Sequence, residues 1–324
     1  MKIAFHHSQN EYANQLFTRL RDALAGHEFL SWPMEQPVPA KDIRVLLALS
    51  PITRAQMAPL SELELVQTLS AGFDSIDVDA ANDLGIWVSN APAGLTGNAE
   101  SVAEFAVMLL IGASRHLMAA LRSETGQTPF FTTSNQALFG KTACIVGLGS
   151  IGRRLVDRLR PFGMTLIATD AGTSSPPAGV TLYPAHELKR AVATANYIVI
   201  CIPGSRENEN LIDASVLGAM QRGAILVNVA RGNVVDEDAL CAALRSGQVA
   251  AVGLDVLRTE PAKSDNLLAG FTQALITPHI AGQTDLTLSG TLHYIAKVIH
   301  EWDSGNKPES VINQPPKPRK RFDD

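Results

Sequence analysis

Thr142-Ala143-Cys144-Ile145-Val146-Gly147-Leu148-Gly149-Ser150-Ile151-Gly152, followed by Arg153-Arg154-Leu155-Val156-Asp157-Arg158-Leu159, decides how this chain folds. An apolar run of strand length enters three glycines spaced G-x-G-x-x-G, and Leu155, Val156 and Leu159 then recur at helical spacing. The first glycine permits a tight turn, the second lets a pyrophosphate approach the backbone, and the third lets helix and strand pack closely. The helix N-terminus favours the phosphate charge. A second apolar run, residues 165–169, leads into Asp170, 18 residues beyond Gly152. That is the position at which a carboxylate accepts hydrogen bonds from the adenosine ribose. It would repel a ribose phosphate, and no Lys or Arg immediately follows it. The expected cofactor is therefore NAD rather than NADP, held by Gly147, Gly149, Ser150, Ile151, Gly152 and Asp170.

Outward from this unit, residues 142–146, 165–169, 197–202, 224–229, 250–255 and 274–277 read as near-continuous apolar strands, the signature of a parallel sheet covered on both faces. Upstream, residues 2–5, 44–49, 65–69 and 86–88 read as shorter strands between helical stretches. An α/β fold with two doubly wound parallel-sheet domains follows. Residues 101–123 read as one amphipathic helix, 128–138 as a loop, 285–302 as a closing helix, and the Pro-rich, basic stretch from Gln314 as a flexible tail whose charges are solvated.

With 324 residues there is room for two ordinary cores, and 46% hydrophobic with 18% charged residues describes a globular chain. A net charge of -5 supplies no general attraction to nucleic acid or acidic lipid. No apolar run approaches the roughly 18 residues a membrane span needs, and the N-terminus enters a strand without a secretory pattern. A soluble, cytoplasmic protein is expected. Cys144, Cys201 and Cys241 have neither disulfide-framework nor metal-site spacing, so they are expected as buried thiols, with no metal site.

Arg231, Glu260 and His279 each follow an apolar run, in Val-Asn-Val-Ala-Arg, Leu-Asp-Val-Leu-Arg-Thr-Glu-Pro and Ile-Thr-Pro-His. Ligands of open α/β sheets sit beyond the carboxyl ends of the strands, so the three can converge. Singly, each is ordinary: a surface cation, a solvated acid, a structural histidine. Together they supply a guanidinium to grip a carboxylate through paired hydrogen bonds and an imidazole whose charged form a carboxylate favours. Such an imidazolium can protonate a carbonyl oxygen as hydride reaches the carbon.

Gly147–Gly152, Asp170, Val-Asn-Val-Ala-Arg231-Gly, Gly-Leu-Asp255-Val-x-x-x-Glu260-Pro and Pro-His279-Ile-Ala-Gly resemble the motifs of the D-isomer-specific 2-hydroxyacid dehydrogenases. Ser70-Ala71-Gly72-Phe73-Asp74 and Ser101-Val102-Ala103-Glu104 add to the resemblance, which runs from about Leu65 to Asn313. It implies a Rossmann NAD domain, residues 99–286, inserted in a flavodoxin-like substrate domain made of residues 1–98 and 287–324. It further implies Arg231 on the carboxylate and reacting oxygen, His279 as acid/base paired with Glu260, and substrate contacts from the amides near Ala71 and Gly72. Asp255 would meet the nicotinamide amide, and Ile202, Pro203, Ala230, Arg231, His279 and Gly282 would also line the cofactor. A homodimer through the NAD domain and hinged cleft closure are implied too.

Two departures matter. Gly204-Ser205-Arg206-Glu207-Asn208 stands where the family commonly has Leu-Thr-x-x-Thr, which leaves the cofactor contacts of that loop open. Glu260 stands where the related formate dehydrogenases use glutamine, which argues against formate. The expected activity is hydride transfer between NAD and a small D-2-hydroxy acid or 2-keto acid of the glyoxylate or hydroxypyruvate kind. A short phosphoglycerate dehydrogenase without a regulatory domain is the alternative, with Lys41, Arg44 and Arg54 as candidates for a phosphate, although surface cations are the plainer reading. A non-catalytic, NAD-sensing protein like the corepressors that resemble this family is the third.

Overall fold

The computed structural model describes residues 1–122, 135–172, 175–263 and 266–322. Their contacts divide into two compact units, Met1–Asn98 with Asp285–Asp324, and Ala99–Thr284. Each is built on its own parallel sheet.

In the first unit β1 (Lys2–His7), β2 (Glu28–Pro33), β3 (Val45–Ala48), β4 (Leu65–Thr68) and β5 (Trp87–Ser89) lie in the order β2-β1-β3-β4-β5. That is the flavodoxin-like winding, with its switch point between β1 and β3. Alternate residues feed opposite cores. Ile3, Phe5, Val45, Leu47 and Leu65 face one side, with Tyr294, Ile295, Val298, Ile299 and Trp302 of helix Asp285–Asp303. Ala4, Leu46, Ala48 and Val66 face the other. The closing helix belongs to this unit because those five side chains are buried in its core.

In the second unit β6 (Thr142–Val146), β7 (Thr165–Asp170), β8 (Val180–Pro184), β9 (Tyr197–Ile200), β10 (Ala224–Asn228), β11 (Val249–Leu254) and β12 (Ala274–Ile276) lie in the order β12-β11-β10-β9-β6-β7-β8, all parallel. Cys144, Val146, Ile198, Ile200 and Leu226 pack on one face, and Ala143, Ile145, Tyr197, Val199 and Ile225 on the other. The winding reverses at β6, between β7 and β9, and the glycine turn sits at that point.

Three expectations need correction. The edge strands β2 and β8 were not foreseen: both end in proline and carry polar residues, and only pairing with β1 and β7 makes them strands. Of the single helix expected over 101–123, Ser123 lies outside the described residues, and 101–122 do not form one helix. A helix runs Asn98–Ser114, His116 takes φ 47°, and a second helix spans Leu117–Arg122. Ser114 Oγ donates to Ile111 O at 2.8 Å, a local bond that competes with helix continuation.

The tail is packed rather than free. Trp87 Nε1 donates to Lys320 O (2.9 Å), Arg319 donates to the carbonyls of Leu60, Ser61 and Leu63, and Phe322 meets Trp87 and Trp302 edge-on. Lys320 lies over the Trp302 ring at 4.7 Å, so at least two of the tail's cations serve docking instead of hydration. Of the expected loop at 128–138, residues 128–134 lie outside the described residues and 135–138 are irregular. Among the described residues no helix is long and apolar enough to cross a membrane. Cys144 and Cys241 are buried while Cys201 is partly exposed, and burial pushes the Cys144 and Cys201 thiols up to about 12.

Candidate active site

The glycine turn is a steric solution. Gly147 leaves β6 with φ 101°, and a Cβ there would lie 2.7 Å from Ile202 Cγ2 and 3.0 Å from Cys201 O. At Gly152 a Cβ would come within 2.0 Å of Gly147 O, so only hydrogen lets the helix Ser150–Leu159 start this close to the strand. Gly149 has nothing within 4 Å of a hypothetical Cβ and caps that helix without a side-chain bond, so its face is open to a ligand. Asp170 closes β7 with its carboxylate oriented: Oδ2 accepts from Leu148 N–H and Oδ1 from Gly172 N–H, both at 2.6 Å. Beside it opens a cavity of about 500 Å³ lined by Asp170, Ala171, Gly172, Leu182, Pro184, Ala185 and His186. The cradle, the oriented acid and the cavity fit the pyrophosphate, ribose and adenine of a dinucleotide. His186 lies on its wall and had no signal in the sequence, since β8 brings it there.

Ile202 and Pro203 follow the end of β9, and Ile202 with Cys201 lies against Gly147. Asn208 donates to Pro203 O at 2.9 Å, so the residue without a hydroxyl braces its own loop. Beyond β10, Asn228 is 1% exposed and accepts from Ala230 N–H (3.0 Å) while donating to Arg231 O (2.9 Å). It shapes the turn that presents Arg231. A polar residue inside Ala-Ile-Leu-Val-Asn-Val was the signal that could have revealed it. Arg231 donates Nη1–H to Ala230 O at 2.8 Å. Gly232 presses against the Glu260 loop, because a Cβ there would lie 1.9 Å from Leu257 C.

Asp255 is buried and accepts from Thr277 Oγ1–H (2.7 Å), Ile280 N–H (2.9 Å) and Ala281 N–H (2.9 Å). Its own carbonyl accepts from His279 N–H at 2.8 Å. These bonds hold the turn in which His279 adopts φ 54°, a left-handed conformation rare for a side chain of its size and one that packing must enforce. Gly282 completes the turn, its carbonyl accepting from Thr284 N–H at 3.1 Å.

His279 Nδ1 lies 2.7 Å from Glu260 Oε2, and Glu260 Oε1 accepts from Leu257 N–H at 2.9 Å. The bond to Glu260 raises the His279 pKa above 6.5, against burial and the charge of Arg231. Burial opposes the charge on Glu260, but the His279 bond, the Leu257 N–H and Arg231 together hold it below the usual carboxylate range. Arg231 thus acts on both partners, which brings the three expected groups into one field. With Nδ1–H committed to Glu260, Nε2 is the imidazole atom left to face a substrate. Among the described residues no three His, Cys, Asp or Glu side chains are placed to hold a metal.

Ala71 and Gly72 belong to the first unit, in the loop after β4. Asn90 donates to Ala71 O (2.7 Å) and Ser70 Oγ to Gly72 O (2.8 Å), so the carbonyls of this loop are tied back. Of the candidate phosphate ligands, Arg44 makes a two-toothed pair with Glu64 and Arg54 pairs with Asp83.

A doubly wound parallel sheet with a glycine cradle at its switch point and an oriented acid at the end of the next strand defines a dinucleotide-binding domain. The family model for the D-isomer specific 2-hydroxyacid dehydrogenase, NAD binding domain, matches residues 107–281. The chain belongs to that family, and its second unit carries the family's NAD site. It is 37% identical over 250 residues to the D-3-phosphoglycerate dehydrogenase of Mycobacterium tuberculosis (strain ATCC 25618 / H37Rv), covering 76% of this chain and 46% of that protein. It is 30% identical over 316 residues to the glyoxylate reductase of Thermococcus gammatolerans, covering 90% and 92%. The NADPH-dependent glyoxylate/hydroxypyruvate reductase of Sinorhizobium meliloti, solved with NADP and malonate, superposes with a TM-score of 0.83 at 27% identity over 99% of each chain. The chain spans about half the length of the phosphoglycerate dehydrogenases it matches.

Proposed function

We propose that this protein is an NAD-dependent oxidoreductase that interconverts a small 2-keto acid, of the glyoxylate or hydroxypyruvate kind, and its D-2-hydroxy acid. The observation that carries this is the 2.7 Å His279–Glu260 pair within the field of Arg231. When bound, the nicotinamide supplies or accepts the hydride. Arg231 grips the substrate carboxylate, and the backbone amides near Ala71 and Gly72 are assigned to the same group. His279 Nε2–H donates its proton to the keto oxygen in reduction and withdraws it in oxidation, while Glu260 holds the imidazolium in orientation. Asp255, with three donors already satisfied from inside, is assigned its remaining acceptor position toward the nicotinamide amide. Asp170 accepts from the ribose hydroxyls, which favours NAD over NADP.

A phosphorylated 2-hydroxy acid is the second reading, favoured by the 37% identity to phosphoglycerate dehydrogenases. The commitment of Arg44 and Arg54 to Glu64 and Asp83 weighs against their serving a phosphate. We further assign the protein to the cytoplasm as a homodimer joined through the NAD domain, where Met108, Ile111, Leu117, Leu121 and Phe139 are exposed apolar side chains. The test is NADH oxidation with glyoxylate, hydroxypyruvate, pyruvate, longer 2-keto acids and phosphohydroxypyruvate. Turnover of a small unphosphorylated acid supports the reading, phosphohydroxypyruvate alone favours the second, and NADH binding without any turnover overturns both.

A further inference from the structure

Gly204 is the residue at which this chain parts from the common Leu of its family, and its surroundings give the substitution a steric cause. A Cβ at 204 would lie 2.6 Å from Arg231 Cγ, 2.8 Å from Arg231 Cβ and 2.7 Å from Asn233 Oδ1. Gly204 is not among the residues with positive φ, so no unusual backbone angle calls for glycine here. Its lack of a side chain is what the site uses.

From this we infer that Gly204 is a positioning residue for Arg231, setting where the guanidinium meets the substrate carboxylate and thereby which 2-keto acids fit. The inference rests on the assignment of Arg231 as the carboxylate anchor. The stem of Arg231 has little freedom to yield to an added methyl. Asn228 holds Arg231 O at 2.9 Å, Arg231 Nη1–H reaches back to Ala230 O at 2.8 Å, and Gly232 is pressed against Leu257. Loop 203–208 is braced from its own side, where Asn233 Nδ2–H donates to Gly204 O and Asn208 Nδ2–H to Pro203 O, each at 2.9 Å. A side chain at 204 must therefore displace the arginine stem, and a small shift at Cβ and Cγ grows toward the guanidinium. A misplacement of about 1 Å in a positioning group costs up to about 100-fold in rate. The same loop adjoins the glycine cradle through Cys201 and Ile202, so the competing response is displacement of the cofactor loop. The two responses have different readouts.

The experiment compares the parent with Gly204→Ala, Arg231→Ala and the double variant. Affinity for NADH is read by its fluorescence, and oxamate, a 2-keto acid mimic, is titrated into each NADH complex. KM and kcat are measured with whichever 2-keto acid turns over. Gly204→Ala is expected to weaken oxamate and raise KM about tenfold or more, with NADH affinity within about twofold of the parent. In the Arg231→Ala background the same change is expected to add nothing, because the group it displaces is gone. Parent-like oxamate binding by Gly204→Ala overturns the inference, as does parallel loss of NADH and oxamate or a double variant weaker than Arg231→Ala. If Gly204→Ala does not fold, the change is repeated in an Arg231→Gly background, which removes both Cβ and Cγ of residue 231, and failure to recover the thermal midpoint of Arg231→Gly overturns the clash. Undiminished oxamate binding by Arg231→Ala strikes the anchor assignment itself, whereas weakened binding there beside a silent Gly204→Ala removes only the role of Gly204.

Discussion

The imidazole of His279 donates from Nδ1 to Oε2 of Glu260 over 2.7 Å, and the other oxygen of that carboxylate is held by Leu257 N–H at 2.9 Å. The carboxylate is thus oriented before it orients the imidazole. Asp255 does the same for the backbone beneath, so both the angle and the tautomer of His279 are decided by neighbours that need not touch substrate.

His279→Ala is expected to lower kcat about 100-fold or more, the contribution of a positioned acid/base. Because Glu260 raises the His279 pKa above 6.5, keto reduction should hold through pH 6.5 and fall as pH rises past that raised value. Glu260→Gln should move this fall to lower pH. A pH–rate profile of both variants checks it; an unmoved limb in Glu260→Gln would detach the limb from the pair. The sign for folding is the same: the stabilisation from charging His279 is present below 6.5 and lost as pH rises through the folded value.

Asp170→Ala is expected to relax the preference for NAD over NADP by about tenfold or more, since a carboxylate–phosphate repulsion disappears. It also strips the acceptors of Leu148 N–H and Gly172 N–H, so NAD affinity should fall as well. Asp170→Asn keeps an acceptor and separates the two effects. Kd values for NADH and NADPH measure them, and a parent that already prefers NADPH refutes the ribose assignment.

His6 is 1% exposed, lies edge-on to Trp32, and neither ring nitrogen has a hydrogen-bond partner. Burial pushes its pKa down from 6.5 to about 4, so the neutral form is the folded one. Its cost is absent above pH 6.5 and grows as pH falls toward 4, reaching about 3 kcal/mol where the unfolded chain alone is protonated. Urea unfolding at pH 7 and pH 4.5 should show this loss, and His6→Leu should reduce it by about that amount. An identical pH dependence in the variant would assign the acid sensitivity elsewhere.

Removal of the tail after Asn313 is expected to lower Tm by about 2–6 °C, because it takes away the Trp87–Lys320 bond, the Arg319 contacts and the Phe322 packing. Phe322→Ala alone should show part of the loss. A truncated chain melting with the parent would mean that the docked tail contributes no net stability.

The glycine turn, Asp170 and the apolar strands were legible because each is local: a turn that needs hydrogen in place of Cβ, an acid one strand later, and runs that alternate between two cores. Arg231, Glu260 and His279 were legible as candidates since each follows a strand of one parallel sheet, and such sheets collect their chain ends along one edge. Other features had no local signal. The tail reads as Pro-rich and basic, and its docking depends on Trp87 and Trp302, each distant in sequence from at least one contact it makes. Strands β2 and β8 mix apolar with polar residues and end in proline, and they take their place at the sheet edges by pairing with β1 and β7.

The amino-acid sequence by itself therefore determined the parallel α/β architecture and the dinucleotide cradle, and it marked Arg231, Glu260 and His279 as candidates, because short-range sterics and hydrophobic alternation are written residue by residue. Only the tertiary structure decided the left-handed turn under His279, the braces from Asn228 and Asp255, the bed that Gly204 leaves for Arg231, and the fate of the tail. Those depend on which distant backbone groups arrive within hydrogen-bond distance or van der Waals contact, a property of the packed chain that no run of neighbouring residues encodes.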